Sequence, residues 1–144
     1  MDGHDSTPRD IVVGVDGSPE STAALHLAAR YAKALDAPLR VVTAWDWFTF
    51  EGVPVTYGSF DPRAEARQAA EDAALSSGLA PERVSTVIAE GPAAKLLIRL
   101  SERAQLLVVG SRGHGGFTGL LLGSVSHALL HQAHCPLAVI PKAR

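Results

Sequence analysis

The segment that decides the fold is residues 106–126, LLVVGSRGHGGFTGLLLGSVS. Its first four residues, 106–109, are all apolar and predict a short buried strand. Glycine dominates the next part of the segment, and Gly123 with Ser124 predicts the start of a helix. The spacing can be written Gly110-x2-Gly113-x9-Gly123-Ser124. The segment is therefore predicted to run from a strand through a glycine-rich loop into a helix.

This order of elements is suited to binding an anion. The first N–H groups of a helix have no partner within the helix, and the helix dipole places partial positive charge there. Gly110 and Gly113 let the main chain approach phosphate oxygens and adopt positive φ where the loop turns. Gly123 and Ser124 offer N–H groups, and the hydroxyls of Ser124 and Ser126 are added donors. The alternative is that this loop is only a tight connection between the strand and the helix and binds no ligand.

Strands and helices alternate along the rest of the chain. Apolar runs predict five strands, and helical spacing of apolar residues predicts four helices. The strands are predicted at residues 11–15, 39–45, 84–89, 106–109 and 137–140, and the helices at 19–35, 63–77, after Pro92, and at 124–131. Residues 46–62 show no clean period and are interpreted as a long loop. This alternation favours a parallel α/β sheet, in which ligands bind beyond the carboxyl ends of the strands where the strand order reverses.

Composition limits the class of protein. With 144 residues the chain is expected to form one domain, residues 10–144, after a polar tail at residues 1–9. The net charge of −2 and the charged fraction of 19% do not favour binding to nucleic acid or to an anionic membrane. The apolar runs are too short to span a bilayer, and the single cysteine, Cys135, agrees with a reducing compartment. A cytoplasmic protein is expected.

Three separated segments resemble the universal stress protein family. They are IVVGVDGS at residues 11–18, EGPAAKLL at 90–97 and HCPLAVIP at 134–141, and the glycine pattern matches that of the nucleotide-binding members. The resemblance implies a five-stranded parallel sheet of order 3-2-1-4-5 with two helices on each face, similar to the adenine nucleotide alpha hydrolase-like and Rossmann-like folds. The order would then reverse between the first and fourth strands, which end at Asp16 and Gly110.

The resemblance also implies a ligand, ATP, with Mg²⁺ held through its phosphates. Asp16 would accept a hydrogen bond from the ribose or the adenine amino group, unless it only starts the first helix. Ala44 matches a position that contacts adenine, and Gly14 and Val15 would line the base or sugar. Arg112 and His114 either touch phosphate or are merely exposed. The full candidate set is Gly14, Val15, Asp16, Ala44, Gly110, Ser111, Arg112, Gly113, His114, Gly123, Ser124, Val125 and Ser126.

Enzyme motifs are missing from the sequence. It contains no Gly-x4-Gly-Lys-(Ser/Thr), no Gly-x-Gly-x-x-Gly and no Gly-x-Ser-x-Gly, so we assign no catalytic residue. This favours an ATP-binding regulatory or stress-response protein. A nucleotide-independent partner-binding module and a slow ATPase remain the alternatives, and the preference among ATP, ADP, AMP and cyclic AMP is open.

Two further interpretations concern the C-terminal part. His127 and His131, with His134 and Cys135 beyond them, superficially resemble a metal cluster, but no second pair of ligands matches them and a solvated helix face is favoured over zinc.

The last strand is short and apolar, and an edge strand can pair with another copy. Because members of the family pair through this edge, the resemblance implies a homodimer through Leu137, Ala138, Val139 and Ile140.

Overall fold

The computed structural model of the protein describes residues 9–46, 49–50, 53–54, 58, 61–111 and 123–141. The predicted tail at residues 1–9 lies outside this part of the chain, except for Arg9. In chain order the elements are β1 (Asp10–Gly14), α1 (Pro19–Ala34), β2 (Leu39–Trp45), β3 (Thr49–Phe50), β4 (Val53–Pro54), α2 (Pro62–Ser76), a 3-10 helix (Pro81–Arg83), β5 (Val84–Glu90), α3 (Ala93–Ser101), β6 (Ala104–Gly110), α4 (Ser124–Gln132) and β7 (Leu137–Ile140).

Five strands form one parallel sheet of order β5-β2-β1-β6-β7. Counting only the strands of this sheet, the order is 3-2-1-4-5, and the prediction is confirmed. The central strand β1 pairs with β2 on one side and with β6 on the other, so that Ile11 lies opposite both Leu39 and Leu106. The chain changes direction across the sheet at β1, so the ends of β1 and β6 border the crevice that such a reversal creates.

Apolar side chains cover both faces of the sheet, as expected when helices pack on each side. One core cluster joins α1 and α2 to the sheet through residues such as Leu25, Ala70 and Val41. The other joins α3 and α4 through residues such as Leu97, Leu129 and Val109. The two helices on each face that the family resemblance implied are therefore present.

The helix starts follow local chemistry. α1 begins at Pro19, and the Ser18 side chain caps it by accepting a hydrogen bond from the Ser21 N–H at 3.2 Å. α2 begins at Pro62, and Asp61 caps it by accepting from the Arg63 N–H at 3.0 Å. Both starts place a capping side chain immediately before a proline.

The structure differs from the prediction in a few boundaries. β6 begins at Ala104 rather than 106, because Ala104 pairs with Asp10 at the start of the central strand. Within the predicted loop at 46–62, β3 and β4 form a small antiparallel pair, which sequence analysis did not predict. Within the described residues, none of the helices has the length and apolar character needed to cross a membrane.

Candidate functional site

A crevice opens at the carboxyl ends of β1, β2 and β6, on the face of the sheet that carries α3 and α4. Its empty volume is about 530 Å³, including the part open to solvent. The lining residues are Gly14, Val15, Asp16, Ser21, Val42, Ala44, Ala93, Leu97, Val109, Gly110 and Val125. Six of them belong to the predicted set: Gly14, Val15, Asp16, Ala44, Gly110 and Val125. Because most of the lining is apolar, the crevice suits a flat organic group better than a bare anion.

Gly14 keeps the floor of the crevice open. A Cβ at this position would lie 3.1 Å from Leu97 Cδ1 and 3.4 Å from Val109 Cγ1. Both neighbours also line the crevice, so a side chain at position 14 would fill space that a ligand could use. A side chain at position 14 would therefore be tightly packed against Leu97, and glycine avoids this contact.

Asp16 forms hydrogen bonds at the start of α1. Its Oδ1 accepts a hydrogen bond from the Ser18 N–H at 2.9 Å, and its own N–H donates to Ser21 Oγ at 3.3 Å. These contacts match the alternative in which Asp16 is a helix-start residue. Asp16 is also exposed and lines the crevice, so a contact with ligand remains a proposal.

The junction between β6 and α4 uses several groups that the sequence assigned to phosphate. The Ser111 carbonyl accepts from the Gly123 N–H and from Ser126 Oγ, the latter at 2.9 Å. Ser126 Oγ also lies 3.2 Å from the Gly123 carbonyl, and Ser126 is buried. The Gly123 N–H and the Ser126 hydroxyl are thus directed at main-chain oxygens. The expectation that these two groups donate to phosphate stays a prediction, and binding phosphate would require them to give up these bonds.

The remaining donors at this end of α4 are main-chain N–H groups. Gly123 occupies the N-cap position and has no side chain to accept from the first turn. The N–H groups of Ser124, Val125 and Ser126 precede the first bond within the helix, which His127 donates to the Gly123 carbonyl at 3.0 Å. α4 therefore differs from α1 and α2, whose first turns are capped by the side chains of Ser18 and Asp61.

Ser111 contributes an unusual hydroxyl. The residue is 5% exposed, and its Oγ has no hydrogen-bond partner. A buried hydroxyl without a partner costs roughly 1–3 kcal/mol. Ser111 follows β6 directly, and its carbonyl contacts the start of α4, so the residue lies at the junction of these two elements.

Gly110 is needed for packing. A Cβ there would lie 2.7 Å from Glu20 Cβ and 3.0 Å from the Glu20 carbonyl carbon. Among the described glycines, those with positive φ are Gly17, Gly58, Gly78 and Gly91. The expectation of positive φ at Gly110 is therefore wrong, and the first turn of α1 explains the absence of a side chain. Arg112, Gly113 and His114 lie outside the described residues.

Sequence analysis missed part of the crevice wall. Val42 precedes Ala44 by two residues on β2 and so shares its face of the sheet. Ala93 and Leu97 are four residues apart in α3 and lie on one side of that helix. These spacings were visible in the sequence. These residues line one crevice only because α3 crosses over the ends of the strands. Ser21 was also missed, because it lines the crevice from α1, a helix whose residues were assigned only to the core.

The histidines near the end of α4 have separate contacts. The rings of His127 and His131 meet edge to face with their centroids 4.9 Å apart, and His134 Nε2 lies 3.9 Å from Glu102 Oε1. Within the described ranges, the structure contains no group of three or more His, Cys, Asp or Glu side chains placed to hold a metal ion. Burial raises the pKa of the Cys135 thiol, which favours its unreactive protonated form.

Comparisons with known proteins agree on one family. The family model described as "Universal stress protein family" matches residues 8–141. A universal stress protein of Mycobacterium tuberculosis is 38% identical over 130 residues, which cover 90% of this chain and 44% of the relative. The chain thus spans less than half the length of such curated relatives.

Solved structures give the same result for the fold. UspA from Lactobacillus plantarum superposes with a TM-score of 0.76 at 19% identity, covering 94% of this chain and 99% of that one. A universal stress protein crystallised in complex with cAMP superposes with a TM-score of 0.65 at 28% identity, covering 94% of this chain and 98% of the other. The first likeness bears on the fold alone.

Proposed function

Since this chain belongs to the universal stress protein family, we propose that it binds an adenine nucleotide, ATP with its Mg²⁺, as a regulatory protein of the stress response. The observation that carries the proposal is one continuous site. An apolar crevice at the reversal of strand order lies beside a helix start whose N–H groups have no capping side chain. Such a site offers an apolar wall to a base and donors to phosphate.

The adenine base would occupy the apolar part of the crevice. The lining includes Val15 just after β1, Ala44 in β2 and Leu97 in α3. Gly14 leaves room between them. Burial of apolar surface stabilises the complex by about 25 cal/mol per Å², and a flat ring system presents much of its surface to such walls. The 28% identical relative in complex with cAMP supports an adenine ring as the occupant.

The phosphates would lie at the start of α4. The N–H groups of Ser124 and Val125 are the proposed donors, and the Ser111 hydroxyl would gain an acceptor that it now lacks. A helix-terminus charge interaction supplies about 0.3–2 kcal/mol, whereas micromolar affinity needs about 8 kcal/mol. Several hydrogen bonds and burial of the base must therefore supply most of the free energy of binding.

The residues fit Mg²⁺ that arrives with the nucleotide. Of the described residues lining the crevice, Asp16 is the single carboxylate, so the ion would be held mainly by phosphate oxygens. The ion would neutralise phosphate charge, while the protein's part is to orient the nucleotide through main-chain donors and the apolar walls. Regulation rather than efficient hydrolysis follows from the absence of a P-loop lysine in the sequence.

Binding can be tested by thermal unfolding with ATP, ADP, AMP and cyclic AMP. At a ligand concentration one hundred times the Kd, the nucleotide stabilises the protein by about 2.7 kcal/mol. For a domain of this size we expect Tm to rise by roughly 5 to 10 °C. Mass spectrometry of nucleotide released from the purified protein identifies the natural ligand. An unchanged Tm with all four nucleotides, together with no released nucleotide, would favour the partner-binding module instead.

We further propose a homodimer through β7. Leu137, Ala138, Val139 and Ile140 are all partly buried, and within the described residues β7 pairs with β6 alone. Its other edge can therefore accept the same strand of a second copy. Sedimentation should give the mass of two chains, and a monomer at every protein concentration would contradict the dimer.

A further inference from the structure

A second cleft opens on the opposite face of the sheet, between the end of β2 and the part of α2 from Pro62 to Asp72. Its empty volume is about 1790 Å³, including space open to solvent. The described residues that line it are Asp16, Gly17, Thr43, Ala44, Trp45, Asp46, Asp61, Pro62, Ala64, Glu65, Ala66, Gln68, Ala69 and Asp72. Five of these are carboxylates and none is a lysine or arginine. On α2 itself, Arg63 and Arg67 are exposed and do not line the cleft. The described lining is therefore acidic, which favours a cationic ligand over an anionic one.

The carboxylates of α2 are arranged in a row. Asp61, Glu65 and Asp72 occupy positions i, i+4 and i+11, with Gln68 between the last two, and this spacing keeps them on one side of the helix. At 1.5 Å per residue the row is about 16 Å long. The Asp61 carboxylate caps the helix, and Asp72 Oδ1 accepts a hydrogen bond from Gln68 Nε2 at 2.8 Å. These bonds hold two members of the row in place.

The row does not suit a single metal ion. Over the residues that the structure describes, no three acidic or histidine side chains come close enough to hold one. Separated carboxylates instead match a ligand whose positive charges are themselves separated along a chain. Protonated amines joined by short methylene chains have this form.

Thr43 gives an independent indication of a ligand in the cleft. The residue is 3% exposed and lines the cleft, and its Oγ1 has no hydrogen-bond partner. An ammonium group has three N–H donors and no acceptor, so it can donate to this hydroxyl. Trp45 shares the same side of β2 and also lines the cleft, and indole is the best aromatic partner for an organic cation. A hydroxyl, an indole and a row of carboxylates together suit an amine.

We infer that this cleft binds a linear polyamine, with its ammonium groups along the α2 row and one of them against Thr43. The inference does not depend on the nucleotide proposal, because the crevice and this cleft lie on opposite faces of the sheet and share only Asp16 and Ala44 as lining residues. The contacts at the α2 row are exposed, so the affinity falls as salt rises.

Calorimetric titration with spermidine tests the inference, using the whole chain at low ionic strength without nucleotide. The double variant Glu65→Gln/Asp72→Asn removes two charges and keeps the shape of both side chains. Exposed ion pairs contribute about 0.2–1 kcal/mol each, so we expect the Kd to rise about tenfold. Glu71→Gln is the matched control, because Glu71 is exposed on the same helix but does not line the cleft. It should change the Kd less than about twofold.

Thr43→Val separates ligand binding from a structural effect. Removing a buried hydroxyl that has no partner should leave Tm of the free protein unchanged or higher, while spermidine binding weakens. Absence of spermidine binding to the native protein would overturn the inference. So would equal weakening by Glu71→Gln and the double variant, which would mean diffuse charge attraction, or Mg²⁺ binding as tight as spermidine, which would mean a site for compact cations.

Discussion

At Ser124 the main chain and the side chain can be tested separately. Ser124 is the first residue of α4, where proline is well tolerated because its missing N–H has no partner within the helix. The preceding residue must be extended before a proline, and Gly123 already is, with φ −74° and ψ 171°. Ser124→Pro therefore deletes one proposed phosphate donor without breaking the helix.

We predict that Ser124→Pro weakens ATP binding about tenfold to a hundredfold, because a hydrogen bond to a charged group contributes about 1.5–3 kcal/mol. Calorimetry measures the change in Kd, and thermal unfolding without nucleotide should show little change. Ser124→Ala is the comparison, since it keeps the N–H and removes the exposed hydroxyl, so any loss of affinity that both variants share belongs to the side chain. Native affinity in the proline variant would rule out this N–H as a donor.

The role of Gly110 could not be predicted from the sequence. A glycine after a strand is compatible with a phosphate contact, with positive φ or with tight packing. The distance of 2.7 Å between a Cβ at this position and Glu20 Cβ selects packing. The sequence could not reveal this, because Glu20 is ninety residues away in the chain and meets Gly110 only after α1 folds over the sheet.

Ser126 connects two elements, and its replacement tests the connection between β6 and α4. Its buried hydroxyl lies within hydrogen-bond distance of the Ser111 and Gly123 carbonyls. We predict that Ser126→Ala lowers the free energy of unfolding by about 1–2 kcal/mol, measured in urea. Because the hydroxyl hydrogen is already directed at the main chain, the Kd for ATP should change less than about threefold. The opposite pattern, native stability with ATP binding at least tenfold weaker, would mean that the hydroxyl donates to phosphate after all.

Strands and helices were predictable wherever local chemistry alone decides them. The apolar run of β2 and the proline-flanked run of β7 were predicted with the observed bounds, Leu39–Trp45 and Leu137–Ile140. The early start of β6 depends on pairing with the start of β1, which no periodicity encodes. At the candidate site, the sequence predicted six lining residues but assigned the Gly123 N–H and the Ser126 hydroxyl to a ligand. Only the folded junction shows that main-chain oxygens accept from both groups.

The whole molecule places two different cavities at one edge of a single sheet. The apolar crevice faces α3, and the acidic cleft faces α2, while Asp16 and Ala44 line both. Each face of a parallel sheet ends in its own set of loops, so one set of strands can support two binding surfaces of opposite character. β7, at one end of the strand order, is the edge proposed for dimerisation.

The hydrogen bonds of β7 indicate which groups are available for a second copy. The Pro136 carbonyl accepts from Leu107, and the Ile140 carbonyl accepts from Ser111. Because successive residues of a strand direct their N–H and C=O groups to opposite sides, those of Leu137 and Val139 point away from β6. Val139 is thus the central residue of the edge proposed for dimerisation.

We predict that Val139→Pro abolishes the dimer, because it removes an outward N–H at an edge position where proline is tolerated within the sheet. Sedimentation should then give the mass of one chain at concentrations where the native protein gives that of two. Val139→Ala is the matched control: it loses side-chain packing against the core but keeps the N–H, so it should remain dimeric. If Val139→Pro is also dimeric, the copies associate through another surface; if the alanine variant is monomeric too, side-chain burial rather than strand pairing holds them together.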